Sequence, residues 1–277
     1  MVLAGCLFSA EARSWLCRSW FVYMLVALVT VKAPLGSRDA LELWVLDVGQ
    51  GTAVLVRHEG GALLFDTGPK NQWFDAGERV LLPFFDRLSI EQLRYLVVSH
   101  EDNDHSGGRN LMTSIFTTET TQILDTAHCR FSEPHPKGVR LATLQAANEQ
   151  STNDRSCNLI LEHAGATILL MGDPSDAVEK NLIAQTPANV DFLLVSHHGA
   201  ESSSSAAWLN HVKPDIAVIS AGINNPFGHP SAGVLKRLTD RGARVLATST
   251  AGALHVWFDP DQQAHLSIKS ARDNRTP

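Results

Sequence analysis

The sequence is short of positive charge. Its 277 residues hold 23 lysines and arginines against 29 acidic residues, a formal net charge of −6. That excludes a broad basic surface of the kind that tracks duplex DNA by charge alone. It does not exclude a nuclease, because carboxylates that ligate metal count towards this charge and bound cations do not. Long disordered tracts are also missing: 44% of the residues are hydrophobic, an ordinary value for a globular chain. This length favours one large domain of two packed halves over two separate domains.

Nor is there a full-length apolar span. Trp20 to Val31 is almost purely apolar, but shorter than the roughly 20 residues a membrane helix needs. Trp15 and Leu16 lengthen it only if Arg18 snorkels. As a signal peptide it has a long n-region and a poor cleavage site, since Pro34 would follow Val31-Lys32-Ala33. A buried helix of the main domain is the third reading. Both membrane readings place Arg13 and Arg18 inside and the main domain outside the cytoplasmic membrane. Residues 1–39 are therefore expected to be a membrane anchor or signal-like segment with a linker, and residues 40–277 the main domain.

What is present is concentrated in Ser99-His100-Glu101-Asp102-Asn103-Asp104-His105-Ser106-Gly107-Gly108. It follows Leu93 to Val98, a short apolar run that reads as a buried strand. A polar cluster at a strand end sits where α/β sheets usually carry their sites. Imidazole and carboxylate are ligands for borderline to hard divalent ions. Ser99 and Ser106 flank the string but lack a dedicated base, so a serine nucleophile is not required.

Strands are expected over 41–46, 52–57, 62–65 and 123–125, and a helix over 74–88 kinked or broken at Pro83. A short helix is expected over 111–116. Residues 126–158 give no clear reading. A hairpin follows over 159–162 and 167–171, then a helix over 176–184 and a strand over 190–195. Beyond it lie a helix ending at 212, a strand over 216–220, a helix over 232–240 and a strand over 243–248. A last hairpin spans 253–258 and 264–269. His163 reads as structural. Strand-rich and helix-bearing halves alternate twice, which suits an α/β sandwich of two sheets with helices outside.

The 99–108 string resembles the His-x-His-x-Asp-His signature of the metallo-β-lactamase fold, with Asp102 where the second His usually stands. That variant is typical of the ComEC competence family. "LDVGQG" at 46–51, "DTG" at 66–68, "FDAGERVLLP" at 74–83, Asn153 to Ser156, "SHHG" at 196–199 and "NPFGHP" at 225–230 resemble that family's motifs in order. The resemblance implies an αββα sandwich and a dinuclear hydrolase. His100, Asp102, Asp104, His105, Asp173 and His197 are expected to hold metal, with Asp173 bridging two ions. His197 is preferred to His198 because it is first off the strand. Asp104 and His229 are expected to be catalytic. Asp66, His198, Asn225 and Ser156 are expected around the ligands or against substrate.

Asp102 and the absence of a His near Asn153 to Ser156 make the site oxygen-rich. Two divalent ions are expected, manganese favoured and zinc possible. The resemblance further implies a phosphodiesterase acting on DNA, with single strands favoured, in a competence-related uptake process. A channel partner in the membrane and a periplasmic main domain belong to the same expectation. The competing readings are hydrolysis of a small ester, lactone or lactam, and a metal- and DNA-binding module of low turnover. In an oxidising compartment Cys129 and Cys157 are expected to pair, as relatives carry cysteines at similar places.

Overall fold

In the strands Asn158–His163, Ala166–Leu170 and Phe192–Leu194 apolar residues stand on both sides of the chain axis, which in a sheet means burial on both faces. Leu159, Leu161, Ile168, Leu170, Phe192 and Leu194 point one way, and Ile160, Leu169 and Leu193 the other; each is buried. The computed structural model describes residues 41–59, 61–132, 138–147, 149–258 and 266–272. The expected N-terminal segment, residues 1–39, lies outside the described residues. Among those described, no helix is long and apolar enough to cross a membrane.

The first sheet is built from β1 (Leu41–Val45), β2 (Val54–His58), β3 (Gly61–Phe65), β4 (Tyr95–Val97) and β5 (Gln122–Leu124), joined by the last two strands. The second sheet takes β6 (Val139–Leu144), β7 (Asn158–His163), β8 (Ala166–Leu170), β9 (Phe192–Leu194), β10 (Ile216–Ile219) and β11 (Arg244–Ala247). β12 (Leu254–Phe258) and β13 (Leu266–Ser270) return to the first. The strand orders are β13-β12-β1-β2-β3-β4-β5 and β11-β10-β9-β8-β7-β6. β3, β4 and β5 run parallel, as do β8, β9, β10 and β11; the remaining pairs are antiparallel.

The inner faces of both sheets share one core, including Leu43, Val54, Phe65, Val97, Leu161, Phe192 and Val256. On the outer face of the first sheet, Phe85, Met112 and Phe116 bring the helices Leu82–Arg87 and Arg109–Phe116 onto Leu55, Leu64 and Leu96. On the outer face of the second, Val178, Trp208 and Val234 bring in the helices Asp176–Leu182, Ala206–Val212 and Ala232–Thr239. Helix, sheet, sheet, helix is the expected αββα order.

Two local expectations differ. Pro83 does not break the 74–88 segment: a wide π-type turn, Gly77–Leu81, leads straight into Leu82–Arg87, with Pro83 in the first α-turn, where its missing N–H costs little. The 126–158 region contains a regular strand, β6, which pairs antiparallel with all of β7. It also contains Cys129, bonded to Cys157 with their Cα atoms 5.5 Å apart, a normal separation for a disulfide.

Candidate metal centre

Five parallel strands deliver the site from their C-terminal ends. Asp66 follows β3, Ser99 to His105 follow β4, Asp173 follows β8, His197 and His198 follow β9, and His229 lies in the loop after β10. The two sheets thus contribute to one cluster. The backbones meet closely there. A Cβ on Gly51 would lie 2.3 Å from the Asp104 carbonyl oxygen, and Thr52 N–H donates to that same oxygen at 3.0 Å. Only glycine fits, so the "VGQG" turn and the metal loop are locked together.

Asp66 is fully buried with φ of 59°. Its carboxylate accepts from Ser99 N–H at 2.7 Å, from Ser99 Oγ at 2.8 Å and from His105 Nδ1 at 2.7 Å. Ser99 Oγ in turn stands 3.0 Å from His100 Nδ1. With the serine proton given to Asp66, that oxygen accepts from His100. One carboxylate therefore orients two imidazoles, His105 directly and His100 through Ser99. His198 Nδ1 donates to the Ser220 carbonyl at 2.7 Å.

With each Nδ1 committed, all three Nε2 atoms turn inward. His105 Nε2 and His198 Nε2 are 3.1 Å apart. Asp173 places one oxygen 3.2 Å from His105 Nε2 and the other 3.7 Å from His198 Nε2. Asp104 lies 3.2 Å from His198 Nε2. His100 Nε2 is buried with no hydrogen-bond partner among the described residues. Two groups result, His100–His105–Asp173 and Asp104–His105–His198, each with ligand atoms within 4.8 Å of one another. Without a cation, converging lone pairs and carboxylates repel, and protons relieve this only in part. Burial opposes charge on His105, but Asp173 and Asp66 raise its pKa well above the usual value. Burial likewise opposes charge on Asp173, yet His105 and His198 hold its carboxyl well below the usual range. A divalent cation satisfies every inward atom at once, so the donor set fits metal.

The expected residues fall into three positions. His100, Asp104, His105 and Asp173 lie in the cluster, and Asp173 reaches both groups. Of the histidine pair, His198 is inside and buried. His197 is 27% exposed at the edge, 3.6 Å from Asp173. Both adopt φ of 52°, so the chain swings past the first histidine and turns the second inward. Asp102 stands outside the two groups, 46% exposed, with its carboxylate 3.8 Å from His100 Nε2.

Around the cluster, Ser156 Oγ accepts from Asp173 N–H at 3.0 Å, and Asn158 accepts from Gly172 N–H at 2.8 Å. The His229 ring packs 5.7 Å from His197 and 6.3 Å from His198. Its Nδ1 is buried without a hydrogen-bond partner among the described residues. Burial and the charges of His198 and His197 lower its pKa. Asn225 pins the loop, accepting from His229 N–H at 3.0 Å. Pro230 closes against Gly199, where a Cβ would come within 2.8 Å of the proline and φ is +78°.

Sequence reasoning missed Glu179. It is fully buried and accepts from Ser196 Oγ at 2.7 Å, Ser204 N–H at 2.9 Å and Ser205 N–H at 3.0 Å. It thus ties both ends of the 196–205 loop that carries His197 and His198. In a short polar helix, one acid among Asp176, Glu179 and Lys180 looks like a solvated face. Its one clue is that Val178 and Leu182 flank it on the buried side.

Residues 46–119 match the family model of the metallo-beta-lactamase superfamily. Recombination protein 2 of Haemophilus influenzae is 30% identical over 254 residues, covering 87% of this chain and 31% of its own length. Competence protein ComA of Neisseria gonorrhoeae is 31% identical over 246 residues, covering 86% of this chain and 35% of its own. ComE operon protein 3 of Bacillus subtilis is 29% identical over 262 residues, 78% of this chain and 33% of that protein. The chain spans about a third of the length of these relatives. The metallo-beta-lactamase fold protein YhfI of Bacillus subtilis superposes with a TM-score of 0.50 at 11% identity, covering 76% of this chain and 98% of that one, which is a likeness of fold. The chain carries a metallo-beta-lactamase domain of the ComEC family.

Proposed function

We propose that this domain is a phosphodiesterase that uses two divalent ions, manganese in preference to zinc, to cleave DNA. The observation that carries the reading is the pair of ligand groups joined through His105, with Asp173 in reach of both. When bound, the ions supply an activated water and Lewis acidity at the phosphate. His100, His105 and Asp173 would hold one ion, and Asp104, His105 or Asp173 with His198 the other. Asp102, beside His100, would add oxygen and negative charge to the first. Oxygen-rich sets of this kind suit manganese. His229, beside His197 and His198, would donate from its ring to a phosphate oxygen or to the leaving group. The competence names of the relatives favour DNA over a small ester or lactam.

The full chain is assayed with manganese, zinc or chelator on single-stranded DNA, duplex DNA and a chromogenic phosphodiester. Manganese-dependent cleavage is expected, and Asp104→Ala or Asp173→Ala abolishes it in protein that still melts cooperatively. Asp102→His shifts the preference towards zinc. Undiminished cleavage in chelator, or equal activity with zinc, refutes the metal assignment.

The proposal extends to location: the domain works outside the cytoplasmic membrane, next to a membrane-borne partner. Arg13 and Arg18 before the apolar run support this orientation, and so does a Cys129–Cys157 bridge, which persists in oxidising compartments. Thiols trapped by alkylation in intact cells should leave Cys129 and Cys157 unmodified. Alkylation of both cysteines would contradict an extracytoplasmic site.

A further inference from the structure

We propose that Phe227 is a stacking platform for an unpaired nucleobase of the substrate strand, set beside the metal centre. The inference rests on the phosphodiesterase reading and adds which part of the substrate is gripped, and by what. Phe227 is 65% exposed, a large apolar ring facing water. Its loop is nevertheless held. Asn225 Oδ1 accepts from Phe227 N–H at 3.2 Å and from His229 N–H at 3.0 Å, while Asn225 Nδ2 donates to the carbonyls of Gly222 and His229. The ring is thus presented, with little conformational entropy left to lose on binding.

Its orientation points to a flat ligand. The Phe227 ring lies 5.7 Å from His229 with 26° between the planes, and His229 lies 6.3 Å from His198 with 24° between them. From the buried His198 the rings of His229 and the exposed Phe227 follow in turn, each tilted by no more than 26° from the ring before it. Most of the Phe227 surface is open to solvent. Ile223, four residues earlier on the same loop, is also exposed.

Charge identifies the occupant. With a net charge of −6 the chain cannot hold a polyanion by its general field. Its grip must be local: cations at the scissile phosphate, and stacking for the bases, as in proteins that bind single strands without regard to sequence. Bases in a duplex are already stacked on one another, so the platform selects unpaired ones.

The test compares full-chain wild type, Phe227→Ala and Phe227→Trp on oligothymidylate and on an abasic strand of equal length. Wild type should show a lower KM for oligothymidylate. Phe227→Ala should shrink the abasic-to-thymidylate KM ratio about tenfold, the scale of one base–aromatic contact, and Phe227→Trp should restore it. Phe227 is solvent-exposed, so an unchanged melting temperature certifies each variant. A ratio unmoved in Phe227→Ala, or one already near unity in wild type, overturns the platform and leaves the phosphodiesterase standing. Wild type that cuts neither strand refutes the phosphodiesterase reading itself, and the platform with it.

Discussion

Two buried carboxylates, Asp66 and Glu179, do similar work in opposite electrostatic settings. Asp66 accepts from His105 Nδ1 at 2.7 Å, and so its burial is matched by a partner. Glu179 accepts hydrogen bonds from one hydroxyl and two amides and, among the described residues, forms no ion pair. Burial outweighs those bonds and raises the Glu179 carboxyl to about 7 from the ordinary 4.5. The sign of the consequence follows from proton counting. Between these values the folded protein keeps a proton that the unfolded chain has released, so stability falls as pH rises through the window and levels off above about 7. Glu179→Gln has nothing to titrate there. The melting temperature of wild type relative to Glu179→Gln is expected to fall from pH 5 to pH 8, as read by calorimetry. A difference constant over that range would refute the assignment. The residue also marks where sequence reading stopped. Asp66 was legible because it ends a strand next to a glycine turn, whereas Glu179 shows its role only once the 196–205 loop lies over it.

Among elements, those set by local pattern were legible and those set by long-range pairing were not. β7 and β8 form a hairpin around Ala164 and Gly165, both at positive φ, and the turn and the apolar runs announce it together. The parallel strands β4, β8 and β9 are short and apolar on both faces, and their polar ends carry most of the residues expected at the site. β6 was hidden because its partner lies beyond an irregular stretch and its alternation is incomplete, with Ala142 and Thr143 both half-buried. The disulfide closes the same stretch across 28 residues. By loop-closure entropy it stabilises the fold by about 3–4 kcal/mol. It also acts locally: Cys157 follows Ser156, which holds the Asp173 amide, and Cys157 N–H donates to the Ser99 carbonyl at 2.8 Å. The bridge thus braces the segment between the two ligand loops. The order of His197 and His198 was not legible either. Which ring turns inward depends on two consecutive left-handed residues, and bulky side chains rarely adopt that backbone.

At the scale of the whole molecule, the cluster is a joint between two sheets. His100, Asp104 and His105 belong to the first sheet's loops, and Asp173 and His198 to the second's. The sheets are also held by their shared apolar core, by the Cys129–Cys157 bridge and by hydrogen bonds such as Ser220 Oγ to the Gly51 carbonyl at 2.7 Å. A cation bound by these side chains would add a further tie between the two sheets. Two carboxylates and three imidazoles so close together also store repulsion when no cation is present, so binding should be coupled to folding. Saturating manganese at a hundredfold over its dissociation constant should add about 2.7 kcal/mol to the stability of the full chain, seen as a higher melting temperature. Asp173→Ala should abolish that increment, because it removes the one side chain that reaches both groups from the second sheet. Phe192→Ala, in the shared core and fully buried, should cost about 3–5 kcal/mol yet keep the increment, because it weakens the interface without touching a ligand. If manganese stabilises Asp173→Ala as much as wild type, the ions do not join the sheets.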